Sequence, residues 1–166
     1  MNQTTLIESF HQGHCLEAYR LFGAHFTYER VNGVRFTVYA PHARKVQVIG
    51  DFNDWNGDNA EMSRLSVDQG IWSLFIPDLK EGMRYKYRIE DRQGRIFDKS
   101  DPYAFYSEMR PQSASVIVNL DSFQWKDQIW LGRRSKNFNE PLNIYELHAG
   151  SWKMNGAYWL NYRELI

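Results

Sequence analysis

The chain has 166 residues, enough for one domain with its own core, and its 20 basic residues are balanced by 20 acidic ones. This balance argues against a nucleic-acid partner, and no apolar stretch approaches the roughly 20 residues of a membrane helix. The single cysteine and the absence of a basic-then-apolar leader argue against a disulfide-stapled secreted domain, so we expect a cytoplasmic protein without a membrane partner.

The first predicted element is a short helix within residues 1–22. Thr5 and Glu8 have the spacing of a capping box, and Gly13 is the predicted stop. One face carries three apolar residues: Leu6, Ile7 and Phe10. The potential metal ligands near its end are too few to close a structural zinc site: His11, His14 and Cys15. We therefore predict no metal and no cofactor.

Over residues 23–120 the apolar pattern changes to a period of two. Strands are predicted within 34–40, 46–50, 71–76, 85–90 and 116–118. Turn-forming pairs, such as those at 32–33 and 81–82, separate these runs. Short alternating strands at this spacing predict an all-β fold, an immunoglobulin-like antiparallel β-sandwich, with Trp72 in its core.

The pattern of apolar and polar residues changes after the predicted sandwich. Residues 121–141 are polar and irregular, which is typical of a connector pinned to a surface by aromatic side chains such as Trp125 and Trp130. A strand-like run over 142–147 comes next, and residues 159–166 favour a helix that ends without a cap. We expect residues 142–166 to begin a further domain of a longer protein.

Two motifs in the sandwich resemble a known family. Residues 36–43 read FTVYAPHA and residues 46–55 read VQVIGDFNDW, a pattern that resembles the family 48 carbohydrate-binding module. Residues 101–105 (DPYAF) and 110–115 (RPQSAS) are similar to the end of that module in glycogen branching enzymes. The resemblance implies an α-1,4-glucan or glycogen partner.

A third motif resembles the catalytic part of the same enzymes. Residues 144–152 read IYELHAGSW, similar to the first (β/α)8-barrel strand of the α-amylase superfamily, and residues 159–165 (WLNYREL) are similar to the segment after that strand in branching enzymes. The resemblance implies a parent enzyme that cleaves α-1,4-glucan chains and transfers them to a 6-hydroxyl. That retaining chemistry needs two carboxylates, which lie at later barrel strands, so the resemblance predicts no catalytic residue in this chain.

The resemblance also implies a glucan site. Trp55 and Lys86 match the glucan-binding positions of the module that occurs in a metabolic-stress kinase, where a second tryptophan comes after the lysine-bearing strand. Phe97 stands at that point here and is the candidate replacement, and Asn53 is a polar candidate by proximity to Trp55. The 16% aromatic content fits core packing as well as sugar-binding platforms. Two alternatives to the glucan site therefore remain: Trp55 packs against a neighbouring domain, and Lys86 is an ordinary solvent-exposed residue.

The remaining predictions concern partners. Five side chains are predicted to form a seam, that is, an interface with the missing barrel: Tyr145, His148, Trp152, Trp125 and Trp130. The alternatives are a free-standing glycogen-targeting module and the N-terminal module of a debranching or trehalose-forming hydrolase. The strand-like run at 142–147 argues against the first, and the Gly-Ser-Trp ending at 150–152 argues against the second.

Overall fold

A computed structural model describes residues 3–65, 70–135, 139 and 141–164 of the chain. These residues form two compact units, which divide between residues 123 and 124. The first unit contains one helix, α1 (Gln3–His11). Its nine strands are β1 (Gly23–Glu29), β2 (Val31–Tyr39), β3 (Ala43–Gly50), β4 (Ser63–Arg64), β5 (Ile71–Pro77), β6 (Arg84–Asp91), β7 (Ile96–Lys99), β8 (Tyr106–Ser107) and β9 (Ser115–Val116).

The strands of the first unit form two sheets. One has the order β1-β2-β5-β4, and the other has the order β3-β6-β9-β8, with β7 also paired to β6. Every strand pair is antiparallel. This arrangement confirms the predicted all-β, immunoglobulin-like sandwich. β6 lies at the centre of its sheet, where it pairs with three other strands.

The core lies between the two sheets and agrees with the predicted alternation. Every second residue of the long strands points inward, because successive side chains of a strand face opposite sides. The buried inward residues include Val34, Phe36, Val38, Val46, Val48, Tyr85, Tyr87 and Ile117. Trp72 is 5% exposed and donates its indole N–H to the carbonyl oxygen of Ala40, so its predicted core position is confirmed.

A second, smaller cluster covers the outer face of the first sheet. Phe10 and Ile7 of α1 pack against the buried side chains of Phe22 and Ile71. Tyr103 stacks on Phe22 with 5.0 Å between ring centroids. The amphipathic face predicted for the first helix is therefore confirmed, and its apolar residues extend the hydrophobic interior beyond the sandwich.

The predicted start of α1 is wrong, whereas its stop is confirmed. The helix already includes Gln3, so Thr5 lies inside the first turn and does not occupy the capping position. At the other end the chain leaves the helix at Gly13, which has φ 73° and donates its N–H to the carbonyl oxygen of Phe10. This left-handed conformation is tolerated best by glycine.

A buried carboxylate, Asp101, ties several strands together. Its Oδ2 accepts the hydroxyls of Tyr85 (2.7 Å) and Tyr87 (3.0 Å), and its Oδ1 accepts the backbone N–H of Tyr103 (2.8 Å). Its own N–H donates to the hydroxyl of Ser115 on β9 (2.8 Å). Burial raises the pKa of Asp101, and the hydrogen bonds from Tyr85, Tyr103 and Tyr87 oppose that rise in part.

The raised pKa of Asp101 makes a testable prediction about acid pH. The folded protein binds this proton more tightly than the unfolded chain does, so the contribution of Asp101 to the free energy of unfolding falls as pH rises above the usual pKa of 3.8. We expect the stability difference between the wild type and Asp101→Asn to be more favourable to the wild type at about pH 4 than at about pH 7. Urea unfolding at both pH values checks this, and a constant difference would contradict it.

The second unit differs from its sequence prediction. It contains a short helix, α2 (Gln128–Arg133), inside the segment predicted to be an irregular connector, and a hairpin of β10 (Met154–Asn155) and β11 (Tyr158–Trp159). The strand predicted over 142–147 does not form: its residues have no regular secondary structure and no partner strand among the described residues, and Ile144 is 82% exposed. A barrel strand exists through hydrogen bonds to its neighbours, so an apolar pattern alone does not produce one.

The helix predicted over 159–166 is also wrong in the described part. Residues 158–159 belong to β11 and residues 162–164 form a turn, while residues 165 and 166 lie outside the described ranges. The hairpin places Gly156, with φ 63°, at its turn. No helix among the described residues has both the length and the apolar character needed to cross a membrane.

Candidate functional site

The candidate site lies on the outer face of β6. Because Tyr85 and Tyr87 point into the core, the side chains of Arg84, Lys86 and Arg88 point outward. On the neighbouring strand β3, Ile49 stands directly opposite Lys86. Directly opposed residues of an antiparallel pair share a face, so Ile49 and Lys86 lie on the same outer surface. We call this surface the Lys86 face.

Trp55 is presented by a tight turn immediately after β3. Asn53 holds this turn: its Oδ1 accepts the N–H of Gly50 and its Nδ2 donates to the carbonyl oxygen of Val48, both at 2.9 Å. Asp54 and Trp55 then adopt left-handed backbone conformations, with φ 51° and 59°. Two successive non-glycine residues in this region are unusual, and such strain is stored where a side chain must be presented in one orientation.

Gly50 allows the turn to start close to β6. A Cβ atom at this position would collide with the carbonyl oxygen of Arg84 and with the ring of Phe52. The N–H of Trp55 donates back to the carbonyl oxygen of Gly50 at 3.0 Å, which closes the turn. The Gly-Asp-Phe-Asn-x-Trp pattern therefore encodes the turn geometry as well as the aromatic ring.

The segment after Trp55 folds back over the outer face of β3. Gln47, which lies on the Lys86 face two residues before Ile49, donates from Nε2 to the carbonyl oxygen of Gly57 at 2.7 Å. Ile49 is only 1% exposed although its side chain points away from the core, so this part of the outer face is covered. Within the turn that carries Trp55, Phe52 packs against the core, whereas the carboxylate of Asp51 accepts from the outward-pointing side chain of Arg84, two residues from Lys86.

Lys86 meets a second segment, the loop 108–114 between β8 and β9. Its Nζ donates to the hydroxyl of Ser113 at 3.0 Å, and Ser113 is exposed. Glu108 anchors the start of this loop by accepting the N–H of Ala114 on Oε2 (3.0 Å). A half-buried ring, an ammonium group and a hydroxyl are the groups that recognise a sugar ring, which offers an apolar C–H face and hydroxyls.

Phe97 does not join these residues. It stands opposite Ile89, which faces the core, so Phe97 lies on the opposite side of the sheet from Lys86. Its ring is 39% exposed and has the cations of Arg95 and Lys99 at 5.8 and 5.7 Å from the ring centroid. The residue of β7 on the Lys86 face near this point is Ile96, so the structure does not bring Phe97 together with Lys86.

The predicted seam residues belong to the second unit. All five are exposed, and two of them contact each other: Tyr145 and Trp152 form an edge-to-face pair with 5.6 Å between ring centroids. His148 Nδ1 lies 2.6 Å from the hydroxyl of Ser151. Exposed aromatic side chains of this number leave apolar area that a partner could cover.

Comparison with known families shows which family the first unit resembles. The model described as carbohydrate-binding module 48 (isoamylase N-terminal domain) matches residues 21–104. The chain belongs to this family. The matched segment of the module includes Trp55 and Lys86, whereas Ser113 and Glu108 lie beyond it.

Relatives of the module extend the similarity past this segment. The 1,4-alpha-glucan branching enzyme GlgB of Geobacillus stearothermophilus is 46% identical over 161 residues, which cover 94% of this chain and 25% of that enzyme. The 1,4-alpha-glucan branching enzyme GlgB 2 of Clostridium perfringens (strain SM101 / Type A) is 47% identical over 160 residues, which cover 94% and 24%. The chain thus spans about a quarter of the length of these relatives.

Solved structures resemble the fold of the module. Apo pullulanase from Klebsiella pneumoniae matches with a TM-score of 0.50 and 27% identity, over 63% of this chain and 12% of that chain. The ligand-free PulA-G680L mutant from the same organism matches with a TM-score of 0.51 and 26% identity, over 67% and 11%. The similarity of this chain therefore extends to pullulanases as well as to branching enzymes.

Proposed function

We propose that the Lys86 face binds an α-1,4-glucan chain, such as a branch of glycogen. The observation that carries this proposal is that the turn that holds Trp55 is bonded through Asp51 to Arg84 on β6, two residues from Lys86, which donates to Ser113. Stacking of one sugar ring on the indole contributes about 1–3 kcal/mol, on the scale measured for bases on aromatic side chains. Lys86 and Ser113 supply hydrogen bonds to sugar hydroxyls beside that ring.

We further propose that the whole protein is a cytosolic glycogen branching enzyme. The GlgB relatives support this, since their similarity covers nearly all of this chain. In that reaction a carboxylate attacks the anomeric carbon of an α-1,4 linkage, and a second carboxylate protonates the leaving oxygen before the chain passes to a 6-hydroxyl. We assign neither role to this chain: Glu146 is the only carboxylate in its barrel-like run, and one carboxylate cannot perform both roles.

The rest of such an enzyme is the proposed partner of the second unit. Tyr145, His148, Trp152, Trp125 and Trp130 are exposed, and burying aromatic side chains of this kind is a main source of stability at interfaces. The pullulanase structures favour an alternative, the N-terminal module of a debranching hydrolase. Their 27% identity over 63% of the chain is weaker support than 46% identity over 94% of it.

The glucan proposal is tested by titrating the chain with maltoheptaose while backbone amide resonances are monitored by NMR. We expect shifts at Trp55, Lys86 and Ser113 and none at Phe97 or Lys99, which lie on the other side of the sheet. The β-1,4-linked cellohexaose is the control, because its extended chain presents hydroxyls at different angles. Absence of shifts at millimolar maltoheptaose would exclude this face as a glucan site.

Two lysine variants, one on each side of the sheet, show which side binds the glucan. Lys86→Ala removes a charged hydrogen-bond donor from the site and should weaken maltoheptaose binding about fivefold, because such a bond contributes roughly 1 kcal/mol net. Lys99→Ala is the matched control: Lys99 is exposed on the adjacent strand, opposite the inward-pointing Tyr87, and should leave the affinity unchanged. Calorimetric titration of both variants measures the difference, and equal effects would contradict the assignment.

A further inference from the structure

Asp51 is the hub of a hydrogen-bond network beneath Trp55. Its Oδ2 accepts the backbone N–H and the Nε–H of Arg84, both at 2.9 Å, and its Oδ1 accepts from Nη2 of Arg84 at 2.8 Å. The indole N–H of Trp55 also faces this carboxylate and helps to lower its pKa. The hydrogen bonds from Arg84 lower the pKa of Asp51 below its usual value, so the carboxylate stays ionised at neutral pH.

Arg84 extends this network to the loop 108–114. Its Nη1 lies 3.2 Å from Oε1 of Glu108, while Oε2 of the same carboxylate accepts the N–H of Ala114. Ala114 is next to Ser113, the partner of Lys86. One guanidinium therefore connects the turn that carries Trp55 with the loop that carries Ser113.

We propose that Asp51 and Arg84 are positioning residues for glucan binding, which hold the Trp55 indole in one orientation and fix it relative to the loop 108–114. This inference rests on the proposed glucan-binding function. Neither residue is assigned a contact with the sugar, since their charged groups are occupied by each other, by Trp55 and by Glu108.

The geometry separates this network from an ordinary surface ion pair. An exposed pair loses most of its value to solvent and to side-chain entropy. Here the Arg84 contact is bidentate and a backbone N–H adds a third hydrogen bond to the same carboxylate, so the arrangement is fixed in several directions. A ring that is already oriented loses little freedom when it stacks on a sugar, and this preorganisation is where the gain in affinity arises.

The test uses Asp51→Asn and Arg84→Lys in the 166-residue chain, with maltoheptaose as the ligand. Asp51→Asn keeps the size but removes the charge, and Arg84→Lys keeps the charge but cannot form the bidentate contact. We expect each variant to bind about fivefold more weakly, because an oriented, charge-assisted hydrogen bond is lost from the support of the ring. Two variants in different segments, the turn after β3 and strand β6, keep the test valid if one of them does not fold.

Two spectroscopic readouts distinguish positioning from loss of structure. The indole N–H resonance of Trp55, assigned with Trp55→Phe, should move in both variants because its acceptor changes. The indole resonance of Trp72 should stay in place, because its N–H donates to the carbonyl oxygen of Ala40 in the core. Asp91→Asn is the matched control: Asp91 also accepts backbone N–H groups and a guanidinium, from Arg95, but at the far end of β6, and this variant should bind maltoheptaose normally.

The possible outcomes distinguish failure of the positioning role from failure of the glucan site itself. If Trp55→Ala weakens binding but Asp51→Asn and Arg84→Lys bind like the wild type, the positioning role is wrong and the glucan site stands. If the two variants bind weakly while the Trp55 indole resonance is unmoved, the positioning role is again wrong, because the ring has kept its environment. If Trp55→Ala itself binds like the wild type, the glucan site on this face is wrong and the positioning role falls with it.

Discussion

Replacing Asp101 by alanine should lower the free energy of unfolding by about 3–5 kcal/mol, because three hydrogen-bond donors would lose their buried acceptor. These donors are the hydroxyls of Tyr85 and Tyr87 and the N–H of Tyr103. Both hydroxyls lie in the core, where water cannot replace the carboxylate. The loss is a large part of the 5–15 kcal/mol that typically separates a folded domain from its unfolded chain.

Asp98→Ala is the control for this experiment. Asp98 lies three residues earlier and pairs with Arg88 at 2.8 Å, but both side chains are about one-third exposed. Its removal should cost less than about 1 kcal/mol, as is usual for surface ion pairs. Urea unfolding monitored by circular dichroism measures both values, and similar losses for the two variants would show that the Asp101 cluster is not a main source of stability.

Replacing Trp55 by alanine should weaken maltoheptaose binding by about fivefold to 140-fold, since stacking of about 1–3 kcal/mol is lost and each 1.4 kcal/mol corresponds to tenfold. Trp55→Phe should give an intermediate affinity, because the smaller ring still stacks but its indole N–H no longer meets Asp51. The fold should persist in both, because Trp55 is outside the core cluster between the sheets.

Calorimetric titration of both variants measures this effect. Trp125→Ala, which removes an exposed indole from the second unit, is the control for loss of a tryptophan elsewhere. An unchanged affinity in Trp55→Ala would remove the central residue of the proposed site. An equal loss in Trp125→Ala would indicate instead that glucan binds the chain without a defined platform.

Four of the five long strands could be predicted because each supplies its own periodic pattern, whereas β1, with seven residues, was not among the predicted strands. β2, β3, β5 and β6 alternate over seven to nine residues, and all four were predicted from that alternation. Strands β4 and β8 have two residues each, which is too short to show a period, while β9 (Ser115–Val116) overlaps the strand predicted over 116–118 only at Val116. The run over 142–147 illustrates the converse, since a local pattern without a pairing partner is not a strand.

The candidate site could be predicted only in part. The motif identified Trp55, and the alternation placed Lys86 opposite the face of Tyr85 and Tyr87. The position of Phe97 depended on which residue of β6 it faces, and that register is set by the connecting turn and not by composition. Asp51 and Arg84 were missed because they are 33 positions apart in the sequence, and nothing local marks two such charges as partners.

Strand β6 divides two requirements between its two sides: Tyr85, Tyr87 and Ile89 pack into the interior, and Lys86 lies on the outer side, where the glucan surface is proposed. Substitutions on the outer side can therefore alter ligand preference among relatives while the inherited interior stays the same. Insertion or deletion of one residue within β6 would turn the following side chains of the strand to the opposite face of the sheet. Divergence along this strand should therefore proceed by substitution and should avoid changes of length.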